Sequence, residues 1–244
     1  MHSFADLVGR DRRRETVACR VGADSHVYTY DRFCTTAWKT AHVLRRLGVH
    51  EESVVGVVPA PDPKALLAVV GTGLLGATAR LDPPREFDGR ALVAPVTDVG
   101  DYALPPGGQR VGYGGDPEDP TVAHFEEQVW GENPVLPPEA PGTDARAVID
   151  DDGETTQGEL LEAARTVVDR EGVDGETTVA LRASLSDARA LAGAFVPLVA
   201  GGTLAFPDVH GVAGAADGVC DVAIGDPGPE PRTIPLVDVP LGKE

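Results

Sequence analysis

Lysine is nearly missing from this sequence: Lys39, Lys64 and Lys243 are its three lysines among 21 basic residues, against 39 acidic ones and a formal charge of -18. A surface so short of cations repels phosphate backbones and anionic lipid heads, which argues against nucleic acid and membranes as partners. Cysteine is as sparse. Cys19, Cys34 and Cys220 are odd in number, with no CxxC spacing and no histidine at ligand spacing, so buried inert thiols are expected rather than a disulfide framework or a metal site. No stretch approaches the roughly 18 uninterrupted apolar residues of a membrane span. The opening MHSFADLVGRDRRRETVACRV has charges where a secretion signal needs an apolar run, so a cytoplasmic location is expected.

What is present is enough to fold. With 244 residues, 42% of them hydrophobic, the chain can fill a core of one large or two small domains. Its Asp and Glu are scattered along the whole length rather than gathered in a tail. That composition resembles the proteins of salt-in halophiles, where dispersed carboxylates keep a surface hydrated in concentrated salt. Acidic stretches are then solvated surface first and candidate sites second.

The sequence contains a repeat. The stretch from Gly48, GVHEESVVGVVPAPDPKALLAVVGTGLLGATARLDPP, can be laid on the stretch from Gly172, GVDGETTVALRASLSDARALAGAFVPLVAGGTLAFPD. Each has an acidic turn, a β-branched run (Val54 to Val58; Thr177 to Leu181) and an Ala/Leu-rich helix (Pro63 to Leu75; Ser186 to Val199). Each helix is closed by small residues and followed by a second run (Ala79 to Leu81; Leu204 to Phe206). This is the grammar of a strand, a crossover helix stopped by glycine and a parallel strand. Upstream of each copy lies an amphipathic helix. One ends at Leu47, with Phe33, Ala37, Ala41, Leu44 and Leu47 at helical spacing; the other ends at Arg170, with Leu160, Ala163, Ala164, Val167 and Val168. The fold class that follows is α/β, with two similar parallel-sheet α/β subdomains produced by internal duplication.

Between the copies, Arg90 to Pro95 and Arg110 to Tyr113 read as short strands, and Thr121 to Trp130 as a helix with Phe125, Val129 and Trp130 on its apolar side. Asn133 to Pro141 is too rich in proline for helix or ladder and reads as a connector. The expected organisation is a first subdomain over residues 1–132, a connector over 133–145 and a second subdomain over 146–244. Cys220 to Ile224 and Thr233 to Val239 are read as further strands of the second.

In this order the elements resemble the large N-terminal domain of AMP-forming acyl-CoA synthetases, members of the adenylate-forming (AMP-binding) superfamily. Tyr28 to Phe33 is similar to that family's opening "TYxEL", Ala41 to Val49 to "AxxLxxLGV", and Leu66 to Pro83 to "xLAxLxxGAxxxPLxP". Phe125 to Pro134 resembles the Trp-containing segment of acetate-type synthetases, and Leu198 to Leu204 resembles "LxxGGTxV". The resemblance implies ATP with magnesium, and CoA, as ligands, and a phosphate loop of the form TSGTTGxPKG after a strand. At the matching place, after Arg146 to Ile149, the sequence reads Asp150-Asp151-Asp152-Gly153-Glu154-Thr155-Thr156-Gln157-Gly158-Glu159. Gly153, Thr155, Thr156 and Gly158 keep a trace of the loop, but its Pro-Lys pair is gone and carboxylates surround a spot meant for a polyanion. The plainer reading is an acidic turn capping the next helix, with Thr155 or Thr156 as N-cap and Glu159 in its first turn.

Nothing after Pro207 resembles the family's YGxTE segment or its catalytic lysine: Gly225 to Gly228 is a turn, and Lys243 lies in the tail. No catalytic residue, no metal site and no cofactor is therefore expected, ATP, magnesium and CoA included. Gly71-Thr72-Gly73-Leu74-Leu75-Gly76 matches GxGxxG by letter but falls within a helix, where a dinucleotide loop would precede one. His50, His124 and His210 stand alone. Asp116 to Asp119 lacks the ligand rhythm of a calcium loop. The expectation is a truncated, catalytically inactive relative with a binding, scaffold or regulatory role. Its expected partners are a copy of itself, another protein subunit, or a small acyl or CoA-like molecule. The alternative is one half of a split synthetase completed by another polypeptide.

Overall fold

The computed structural model describes residues 1–22, 25–139, 141–207 and 220–241, with backbone only at 25 and 26. In chain order these form α1 (Phe4–Leu7), β1 (Val17–Val21), β2 (Ser25–Thr29), α2 (Tyr30–Arg46), β3 (Val54–Val57), α3 (Pro63–Leu74), β4 (Thr78–Leu81) and β5 (Ala91–Pro95). There follow β6 (Gln109–Tyr113), β7 (Val122–His124), α4 (Phe125–Trp130), β8 (Arg146–Asp150), β9 (Gly153–Thr156) and α5 (Gln157–Glu171). The last elements are β10 (Thr178–Arg182), α6 (Ala188–Ala200), β11 (Thr203–Phe206), β12 (Val222–Gly225) and β13 (Thr233–Ile234).

The duplication is real in three dimensions. β3-α3-β4 and β10-α6-β11 are each a parallel pair joined by a helix, and each helix starts at an Asp N-cap, Asp62 or Asp187. The sheets run β7-β6-β5-β3-β4-β8-β9 and β13-β12-β10-β11-β1-β2. Both are mostly parallel, and each ends in one antiparallel hairpin, β8–β9 or β1–β2.

Those hairpins cross between the halves. β1 pairs with β11 (Cys19 opposite Leu204), and β8 pairs with β4 (Ala79 opposite Val148). The division into 1–132 and 146–244 therefore does not follow the sheets: residues 17–29 complete the second sheet and residues 146–156 the first. The physical reason is that β4 and β11 each offer an open edge, and an unpaired row of N–H and C=O groups in the interior has to be covered. In both halves the hairpin leads straight into a helix capped by threonine, Thr29 for α2 and Thr156 for α5.

The core is continuous across the halves. Every residue of α3 is buried, and α6 is buried from Ala190 to Leu198, because both helices touch strands of both sheets. A helix that is apolar all round is one enclosed on all sides. Gly71 and Gly73 serve this packing: a Cβ on Gly71 would stand 2.8 Å from the Thr40 side chain, and one on Gly73 would stand 2.4 Å from the Phe4 ring. A second, smaller apolar cluster, including Phe87, Leu92, Val99 and Tyr102, closes the other face of the first sheet.

Three local expectations need correction. Residues 121–130 are not one helix; Val122–His124 pairs with β6, and only Phe125–Trp130 is helical. Phe125 and Val129 are buried, whereas Trp130 is 86% exposed. The strand expected over Thr233 to Val239 stops at Ile234, where Pro235 removes a ladder donor and a 3-10 turn, Leu236–Asp238, takes over. The connector is laid along the polar stripe of α2. His42 Nε2 donates to the Val135 carbonyl (2.8 Å) and Arg45 pairs with Glu139 (2.8 Å), while Arg46 pairs with Glu132 just before the connector. No helix of the described residues is long and apolar enough to cross a membrane.

Candidate functional site

The segment in which the sequence keeps a trace of a phosphate loop is the turn between β8 and β9. Asp150 lies opposite Gly153 in the ladder, so only Asp151 and Asp152 stand between the two strands, and Gly153 takes φ 125°, a conformation that suits glycine. This is a tight hairpin, not an open loop.

Its amides are already engaged. Asp150 Oδ1 accepts from the N–H groups of Asp152 (2.9 Å) and Gly153 (3.1 Å), and Oδ2 accepts from the N–H of Ala188 (2.7 Å), the first residue of α6. The carboxylate is 7% exposed. It sits where helix-end donors favour an anion. Arg80, from β4, donates to the Asp150 carbonyl (2.8 Å) and pairs with the Asp151 carboxylate.

Each sequence-predicted residue has a structural position here. Thr156 is the N-cap of α5: its hydroxyl accepts from Glu159 N–H (3.2 Å), and a Glu159 oxygen accepts from Thr156 N–H (2.7 Å), a complete capping box. Thr155, opposite Val148 in the ladder, lines a cleft and is not the cap. Gly158 is there for closeness, since a Cβ on it would stand 2.3 Å from Thr143 Cγ2. Thr156→Ala is expected to cost about 1 kcal/mol and Thr155→Ala less than about 0.5 kcal/mol. Urea unfolding at fixed salt measures both, and equal costs would contradict the assignment of the cap.

The cleft beside this turn has a volume of about 590 Å³. Asp150, Asp152, Glu154, Glu159, Glu162 and Asp187 line it, with Arg189 as the cation among its lining residues. Arg189 is committed to the carbonyls of Val237 (3.0 Å), Val239 (2.9 Å) and Leu241 (2.6 Å), which holds the segment from Leu236 against the cleft. Like charges about 4 Å apart repel by roughly 1 kcal/mol even in water, so a triphosphate meets a repulsive wall. The residues present do not fit ATP phosphates.

The other candidates stay apart from this cleft. Cys19 and Cys34 are buried, and burial pushes the Cys34 thiol up to about 12 and raises that of Cys19 further, so neither supplies a thiolate; Cys220 is half-buried. His124 lies between Asp116 (3.4 Å) and Glu126 (3.2 Å), away from the turn. His210 and Lys243 fall outside the described residues. Among the described residues, no group of three or more His, Cys, Asp or Glu side chains is arranged to hold a metal ion.

The sequence reading missed one charged cluster. Lys64, 6% exposed at the start of α3, has its ammonium 3.3 Å from Asp62 and 3.4 Å from Glu126, and 5.6 Å from the Tyr113 ring centre. Burial, then the nearby Asp62, Asp98 and Glu126 carboxylates, hold the Tyr113 phenol well above its usual range, so it stays neutral. The only signal was Asp62-Pro63-Lys64, an N-cap followed by a lysine at a position where a solvent-facing charge is the ordinary expectation. The cluster ties α3 to β6 and α4.

The comparisons with known proteins bear on the fold. No protein-family profile matches the sequence, and no curated protein matches it. Solved structures do. An anthranilate CoA ligase, AuaEII, in complex with anthranoyl-AMP superposes with a TM-score of 0.75 at 14% identity, over 91% of this chain and 49% of its own. The chain has the fold of the N-terminal domain of adenylate-forming CoA ligases. A benzoate CoA ligase from Burkholderia xenovorans gives 0.72 at 20% identity, over 92% of this chain and 50% of that one. The N-terminal domain of FACL13 from Mycobacterium tuberculosis gives 0.72 at 16%, over 92% and 63%. The chain thus spans about half the length of the first two.

Proposed function

We propose that this CoA-ligase-like chain forms no acyl-adenylate and serves as a binding, scaffold or regulatory protein. The observation that carries the reading is the β8–β9 turn, where the Asp150 carboxylate takes three main-chain N–H groups in the place where the fold would offer donors to a phosphate. Carboxylates on the surrounding wall act in the same direction. The ligand of such a protein is a protein subunit, a second copy, or a small acyl or CoA-like molecule.

Titration calorimetry with ATP and magnesium is expected to give no heat of binding up to millimolar nucleotide. A pyrophosphate-release assay with acetate, benzoate and medium-chain fatty acids is expected to stay at the protein-free rate. Micromolar affinity, or acyl-AMP detected by mass spectrometry, overturns the reading.

A second reading is half of a split ligase completed by another polypeptide, the region that superposes being about half of those ligases. It predicts pyrophosphate release from a co-purified pair and from neither chain alone. The turn weighs against it, because the altered phosphate segment lies in this half.

A further inference from the structure

Each half of the molecule completes the sheet of the other, and the ties are numerous in both directions. From the first half into the second, β1 runs parallel to β11, the Phe4 ring meets the Phe195 ring edge-on at 5.3 Å, the Tyr30 hydroxyl donates to the Gly202 carbonyl (2.8 Å), and the Arg14 guanidinium donates to the Gly201 carbonyl (2.9 Å). From the second half into the first, β8 runs parallel to β4 and Gln157 Nε2 donates to the Gly73 carbonyl (2.9 Å). Asp150 and Gln157 sit at the two crossing points: Asp150 reaches from the first sheet to α6, and Gln157 reaches from α5 to α3 and α1.

The connector contributes nothing to these ladders. Its residues 142–144 are exposed, and a side chain on Gly142 would meet nothing within 4 Å. Two sheets that share strands in both directions cannot open about a hinge in the connector without breaking main-chain ladders in the core.

We propose that residues 1–139 and 142–241 are each other's binding partners, held by the exchanged hairpins and not by the connector, so that the chain cut in the connector remains one folded particle. The same property makes a two-polypeptide form of this fold physically possible, independent of whether either form is catalytic.

The test uses the full chain with a site-specific protease sequence inserted between Pro141 and Gly142. After complete cleavage, the two fragments are expected to coelute on size exclusion without denaturant and to melt in one transition. Fragments that separate under native conditions, or a cut protein that melts in two steps, overturn the proposal. The unmodified chain gives a second measurement in case the insertion prevents folding. Hydrogen exchange along a urea series is expected to release the amides of β4 and β11 at one common denaturant concentration; protection of one sheet after the other has opened also overturns it.

Discussion

Gln157→Ala is expected to lower the unfolding free energy by about 3 kcal/mol, the combined cost of a buried donor left without an acceptor and of the space vacated. Gln157 is 1% exposed. Its Oε1 accepts from the N–H of Phe4 (2.8 Å), the first residue of α1, and its Nε2 donates to the Gly73 carbonyl (2.9 Å) near the end of α3. Both are helix-end groups with no partner along their own helices in the regular pattern. The Gly73 carbonyl also accepts from Gly76 N–H (3.0 Å), so the larger part of the penalty falls on Phe4. Gln157→Leu separates the contributions: it refills most of the volume but restores no acceptor, and is expected to cost about 2 kcal/mol. Denaturation in urea at fixed salt measures both. A change below about 0.5 kcal/mol, the size of an ordinary surface substitution, would mean that water reaches Phe4 N–H and that the three elements are not locked together there.

This residue marks the limit of what the sequence made legible. The duplication could be read because a strand, an Asp-capped helix, a glycine stop and a second strand are local patterns, and Asp62, Gly76, Asp187 and Gly201 place those ends within a residue or two. The crossing of the hairpins could not, because the partner of Cys19 is Leu204 and nothing in the alternation of VACRV says which edge it will join. Residues 122–130 misled because the buried Phe125 and Val129 set a helical spacing that Trp130 continues in sequence but not in burial. At the turn, charge gave the right sign and the wrong depth. Three consecutive aspartates look like solvated surface, and Asp151 is, but Asp150 is enclosed because the start of α6, the helix between two strands of the second sheet, comes to meet it.

Asp150→Ala is expected to cost about 4 kcal/mol, more than any other single truncation in the turn. Three N–H groups, of Asp152, Gly153 and Ala188, lose their acceptor at once, and each hydrogen bond to a charged group is worth roughly 1.5–3 kcal/mol before neighbouring groups relax. Water entering from the cleft offsets part of that sum, which keeps the expected figure below a simple addition. Asp150→Asn keeps one carbonyl oxygen, and so either the turn or the helix start, and is expected to fall about midway. Asp151, with a side chain 95% exposed, is the control: its alanine variant is expected to change stability by less than about 0.5 kcal/mol. If Asp150 were only part of a hydrated acidic surface, the two alanine variants would match. The same pair probes function, because removing Asp150 frees the turn amides yet leaves the carboxylates of Asp152, Glu154, Glu159 and Asp187 around them. ATP with magnesium is therefore expected to stay unbound in Asp150→Ala as in the parent chain. Nucleotide binding gained by that variant at micromolar concentration would mean that Asp150 alone blocks a competent phosphate site, and that the surrounding charge was given too much weight.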